Sequence, residues 1–250
     1  MIKFFRKIRQ KMIKENKVSK YFLYAIGEIV LVVIGILIAL QINNLNQSKQ
    51  DQNQLKASLE FVKQNLNEDI KNLNEQIEYN ERIQKAIDIA FRIISLPEDK
   101  NFTIDQIGGI AIERHFYAVK TAFKSMETGA HFKWIKDQNL IEAIYLYYAD
   151  TDELSKFVEY NNHFAREKIE EFVYDEWELG TFFSDLNPYD DQRIPRINNT
   201  NVIKESIVFE NILLGRKSKT NGEISSSKYA ITKAKELIHQ IEIYLIEYHK

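Results

Sequence analysis

With 250 residues, 34 Lys and Arg against 36 Asp and Glu, the chain has room for one or two domains with a sizeable core. Cysteine is absent, which excludes thiolate zinc sites, thiol nucleophiles and disulfide frameworks. Fifteen Phe, 13 Tyr and two Trp exclude a disordered polymer, and only eight Gly and three Pro point to an all-α fold.

Charge is distributed unevenly. Residues 1–42 carry eight basic residues against Glu15 and Glu28, leaving 26 basic and 34 acidic residues downstream. A basic arm before an acidic body is a membrane-topology signature. Nucleic acid is the weaker explanation of that arm and is not an expected partner, because an apolar run comes directly after it. Within the arm, residues 1–21, Met1, Phe5, Ile8 and Met12 fall about one turn apart, with Lys3, Arg6, Lys7, Arg9 and Lys11 between them. That pattern predicts a basic amphipathic helix lying on an anionic inner leaflet.

The run YFLYAIGEIVLVVIGILIALQINN, residues 21–44, contains a predicted transmembrane helix over 22–42. About 20 apolar residues cover a hydrocarbon core of roughly 30 Å. The run exceeds the core of a cleaved signal peptide, and Leu40-Gln41-Ile42-Asn43 is a poor cleavage context, so an uncleaved signal anchor is expected. The positive-inside rule puts the N-terminus in the cytoplasm and the body in the periplasm, with the anchor in the inner (cytoplasmic) membrane. Glu28 interrupts the run. With Val32, Gly35 and Ala39 it shares one helical face, and Gly35-x-x-x-Ala39 is a small-xxx-small pair that lets two backbones approach. Packing of a homo-oligomer, a passive acid reaching towards the headgroups and a proton or ion pathway are the three readings of Glu28.

Residues 43–96 read as one long amphipathic helix. Leu55, Leu59, Val62, Leu66, Ile70, Leu73 and Ile77 recur at coiled-coil spacing with one stutter between Leu66 and Ile70, and Asn80, Gln84, Ile87, Phe91 and Ile94 continue the stripe. This stripe packs either on the chain's own later helices or on a second chain, and the two are compatible.

Residues 97–250 read as a helical bundle. A helix is expected before Val119, then a short one over 121–128 with Gly129 in the left-handed position after it. Asp137 caps the next helix, which runs with a bend to about Leu179 and carries Leu140, Ile144, Tyr147 and Tyr148 on its inner side. Residues 184–201 are a proline-containing loop, 202–214 a helix, GRKSKTNGEISSS (215–227) a turn, and 228–248 a last helix.

Chemistry is sparse in this sequence. Glu236-x-x-His239 has di-iron spacing but no second copy, and His163 with Glu167 is an i,i+4 pair on a solvated face. Asp185, Asn187, Asp190 and Asp191 lack the order of a calcium loop. Ser225-x-x-Lys228 lacks the partner motifs of an acylating enzyme and reads as a helix cap. The aromatics over 131–148 read as core before they read as a ligand cage. No catalytic residue, metal ligand or cofactor is therefore assigned, and no enzymatic activity is expected.

The stretch MIKFFRKIRQ…ENKVSKYFLYAIGEIVLVVIGILIALQINN closely resembles the N-terminal signature of a large uncharacterised family of Bacteroidota-type membrane proteins. That family continues Asn-Trp-Asn where this chain has Asn44-Leu45-Asn46. TAFKSMETGAHFKWIKDQNLIEAIYLYY is similar to the family's short helix, glycine turn and tyrosine-rich helix. The resemblance implies a single-span inner-membrane protein with a helical periplasmic domain, and it carries over no catalytic residue. The expected role is a self-associating scaffold that meets the bilayer and a membrane or periplasmic protein partner. The alternatives are an ion-coupled transducer subunit using Glu28 and a periplasmic ligand-sensing bundle.

Overall fold

A computed structural model describes residues 18–96, 102–179 and 198–247. The basic arm with Lys3, Arg6, Lys7, Arg9 and Lys11 lies outside them, as does the loop with Asp185, Asn187, Asp190 and Asp191. Among the described residues there are six α-helices and no strand: α1 Val18–Ser95, α2 Thr121–Thr128, α3 Gln138–Phe164, α4 Glu171–Glu176, α5 Asn199–Glu205 and α6 Ile207–Glu247. A π-helical segment, Ala165–Glu170, joins α3 to α4, and short 3-10 segments cover Ile104–Ala111 and His131–Trp134. The fold is all-α.

The chain divides into two compact units between Leu55 and Lys56, within α1. In the first unit the most apolar window of α1 has a mean hydropathy of 2.7 and none of it is buried. Its large side chains, from Phe22 to Ile42, face outward at every angle of the helix. This helix is long and apolar enough to cross a membrane.

The second unit is an up-down-up-down arrangement whose second leg is mostly not helix. Residues 112–120 are extended and run back antiparallel to α1: Ile112 meets Tyr79, Arg114 meets Glu75, Val119 meets Asp69 and Ala122 meets Asn65. The expected helix before Val119 is thus replaced by a 3-10 segment and an extended strap. The strap's backbone has no ladder of its own, so side chains of the neighbouring helices satisfy it. Asp69 accepts from the Val119 N–H at 2.7 Å, Arg216 and Asn162 donate to the carbonyls of Ile112 and Arg114 at 3.1 and 2.9 Å, and Asn65 caps α2 through the Ala122 N–H at 2.8 Å.

Helix α6 runs antiparallel to both α1 and α3, bringing Glu223 to Gln76, Asn80 and Asn161. It continues straight through residues 215–227, where the composition predicts a turn. Its two glycines face α3: a Cβ on Gly215 would lie 2.8 Å from the Phe164 ring, and one on Gly222 would lie 3.0 Å from Phe157. They permit close helix approach and do not break the helix. The polar residues Arg216, Thr220, Glu223 and Ser227 fall at helical spacing on its buried side.

At the end of α2 the left-handed residue is Ala130, with φ 52°, while Gly129 stays right-handed. Gly129 is required for a different reason. A Cβ there would lie 2.5 Å from the His131 ring, which hydrogen-bonds Ser58 at 2.7 Å and stacks on Trp134. Asp137 caps α3 as expected, accepting from the Asn139 N–H at 2.9 Å.

Candidate functional site

In α1, Glu28, Val32, Gly35 and Ala39 fall on one side of the helix, and Val32 is 56% exposed. Nothing lies within 4 Å of the place a Gly35 side chain would take. The face is open at Val32 and Gly35, while Glu28 is half-buried.

Further along α1, Leu55, Leu59, Val62, Leu66, Leu73 and Ile77 are buried, while Ile70 is half-buried. Leu73 and Ile77 form one core cluster with Phe116, Leu154, Val158, Ala230 and Ile231 of the same chain. The stutter read between Leu66 and Ile70 does not exist in the packed seam. The innermost residues are Leu55, Leu59, Val62, Leu66, Asp69, Leu73, Gln76, Asn80, Ile83, Ile87 and Ala90, an unbroken alternation of four and three. Counting only apolar residues substitutes Ile70 for Asp69 and creates the irregularity.

Three polar side chains therefore sit in the seam, and each has a partner. Glu223 is 1% exposed. Its Oε2 accepts from the Gln76 and Asn80 amides at 3.0 and 2.9 Å, and its Oε1 from the Asn161 amide at 2.8 Å. Arg216, one turn pair earlier in α6, donates to the carbonyls of Asn161 and Ile112 at 3.3 and 3.1 Å. Burial holds the Arg216 guanidinium below its usual pKa. The cluster joins α1, α3, α6 and the strap. Its chemistry is that of a clasp: a carboxylate surrounded by amide donors.

The second polar centre is Asp69. Its Oδ1 accepts from Val119, and its Oδ2 accepts from the Tyr147 hydroxyl at 3.0 Å. Burial pushes its pKa up to about 6, and the two hydrogen bonds work in the opposite direction. Burial likewise raises the phenols of Tyr147 and Tyr148, and it raises Tyr79, which donates to Ile112, to about 12. These tyrosines are hydrogen-bond donors locked in the protonated form.

The aromatic residues over 131–148 pack on one another. Phe123 lies 4.6 Å from Tyr148 and 5.2 Å from Tyr145, ring centre to ring centre, and Phe132 lies 4.9 Å from Tyr145. His163 and Glu167 form an exposed pair at 3.0 Å. Glu236 pairs with Lys233 at 2.7 Å, and His239 is exposed. Ser225 and Lys228 are both exposed in mid-helix, so Ser225 is not a cap. No group of three or more candidate metal ligands converges among the described residues. Sequence reading does not single out Asp69, Gln76, Arg216 or Glu223. The available signal is a polar residue at every inward position where the apolar stripe falters.

Residues 28–137 match the model of a family of unknown function, DUF6090. The DUF6090 match starts at Glu28, covers the rest of the apolar stretch, the long seam, the strap and α2, and ends at Asp137, the cap of α3. The chain is similar to that family over this span, which includes Asn65, Asp69, Gln76 and Asn80 but not their partners in α3 and α6. No curated protein and no solved structure matches this chain.

Proposed function

We infer that this chain is a membrane-anchored helical scaffold, without catalytic activity, that presents a rigid body to a protein partner. One observation carries the reading: the apolar surface of residues 22–42 is wholly uncovered, whereas the long-helix seam of the body is filled by the chain's own residues. A soluble helix with that much exposed hydrocarbon has no favourable solvent in water. A bilayer supplies one.

The anchor is a single span in the inner (cytoplasmic) membrane, with the N-terminus in the cytoplasm and the body in the periplasm. The eight basic residues before Phe22 support that orientation. The likeness of residues 21–44 to the N-terminal signature of the Bacteroidota-type family supports it as well. Two copies associate through Glu28, Val32, Gly35 and Ala39, where the bare Gly35 allows close approach and the carboxyl group hydrogen-bonds across the seam.

The decisive experiment is a reporter fusion at Lys250. Alkaline phosphatase is active there and a cytosol-dependent fluorescent reporter is dark; the opposite pattern overturns the topology. Self-association is tested separately. Gly35→Ile shifts the chain towards monomer in mild detergent by light scattering, and an unchanged mass removes the seam from the interface.

A further inference from the structure

The 3-10 segment Ile104–Ala111, the π segment and α4 line a cavity of about 670 Å³ within the body, inside the usual range of small-molecule sites. Its walls are hydrocarbon, supplied by Ile107, Ile110, Ile169, Val173 and Trp177. Gly108 stands on the lining and is exposed, and a Cβ there would meet nothing within 4 Å, so the fold leaves space for a larger side chain at this rim. The π segment places an extra residue in one turn, rotating the residues after it by about 100° relative to an unbroken helix. That rotation sets Val173 and Tyr174 on the cavity wall beside Ile169.

One ionisable carboxylate stands on this lining, that of half-buried Glu170. Two of its charged neighbours are bonded to other groups: Arg166 forks onto Glu113 at 3.0 and 2.8 Å, while still adding a positive field at Glu170, and Glu167 meets His163 at 3.0 Å. Glu170 makes no hydrogen bond or ion pair with another described residue. A carboxylate with no hydrogen bond or ion pair among the described residues, beside hydrocarbon walls, favours a ligand with an apolar body and a cationic head over one with an anionic head, which it would repel.

We propose that this cavity binds a small apolar amine, its hydrocarbon part between Ile107 and Trp177 and its ammonium group on Glu170. The site lies wholly in the body and does not depend on the anchor or on self-association.

The test uses the full chain in phosphatidylcholine nanodiscs. Trp134→Phe leaves Trp177 as the single tryptophan. Titration with decylamine gives a saturable change in Trp177 emission, at a midpoint about tenfold or more below that of decanoate. Gly108→Phe removes the saturable change while the helical melt of the chain is retained. If that variant fails to fold, Gly108→Val makes the same comparison with a smaller side chain. Glu170→Gln preserves the fold and erases the preference for decylamine over decanoate. A response that rises linearly with amine, or that persists unchanged when Gly108 is filled, is partition into lipid and overturns the site. Equal midpoints for decylamine and decanoate overturn the role of Glu170.

Discussion

Two stretches of α1 use apolar residues in opposite ways. Over residues 22–42 they cover the helix all round and none of the most apolar window is buried. Over residues 55–90 they occupy one narrow seam, interrupted by Asp69, Gln76 and Asn80, and the seam is buried. The first stretch is strongly polar only at Glu28 and Gln41 and is long and apolar enough to cross a membrane. The second tolerates polar residues because later parts of the chain supply a partner for each. Hydrophobicity summed along a helix does not separate these cases; the angular spread of the apolar residues does.

The largest effect is expected where a partner is removed from the polar seam. Glu223→Ala removes the shared acceptor of three buried amides and one of the negative charges acting on Arg216, so we expect a loss of about 3–5 kcal/mol in urea unfolding of the full chain in nanodiscs. A loss under about 1 kcal/mol, the level of an ordinary single hydrogen bond, contradicts the clasp.

Leu73→Ala and Val32→Ala compare the two stretches directly. Leu73 is 0% exposed, so its truncation costs the body about 2–5 kcal/mol. Val32 has no packing in the chain to lose, and its truncation leaves body unfolding unchanged within about 0.5 kcal/mol. Equal effects would mean that the span is buried by the chain after all.

Asp69 links the seam to pH. Its carboxyl group titrates at about 6 in the folded chain against an ordinary value of 3.8, so the folded state holds its proton more tightly. The corresponding stabilisation is complete below pH 3.8 and is lost as pH rises through about 6. It amounts to about 2–3 kcal/mol. Asp69→Asn keeps an acceptor for the Val119 N–H and does not titrate. Its stability, measured by urea unfolding at pH 4 and pH 7, therefore varies less than that of the wild type. An identical pH profile in the two proteins rules Asp69 out as the titrating group.

The smallest effect is expected at the surface. Lys217 pairs with Asp88 between α6 and α1; Lys217 is half-buried and Asp88 is exposed. Lys217→Ala changes stability by less than about 1 kcal/mol, and added salt narrows that difference further.

The reach of the sequence obeys the same physical division. The apolar stretch, the heptad spacing from Leu55, the short α2 and the Asp137 cap are legible, because each depends on local periodicity or a local hydrogen bond. The strap reads as helix because Ile112–Lys120 has no backbone partner nearby in sequence to reveal its extended form. Its bonds come from Asp69, Asn162 and Arg216. Residues 215–227 read as a turn because glycine and polar residues signal loops when no burial is visible. In the fold, Gly215 and Gly222 admit the rings of Phe164 and Phe157, and Glu223 answers Gln76 and Asn80. The cavity beside Trp177 has no sequence motif at all. It arises where a π turn meets a glycine whose side-chain position is open.

The pairing of Gln76 with Glu223 spans 147 residues of chain. At ribosomal speeds of roughly 5–20 residues per second, α6 emerges on the order of ten seconds after the residues it must cover. Throughout that interval the side of the Leu73 seam that α6 covers lacks its partner, although Phe116 and Leu154 have already emerged, and a neighbouring nascent copy offers it the same surface. The order of elements along the chain thus makes timing of synthesis, as well as final packing, a determinant of whether each molecule closes on itself or on another.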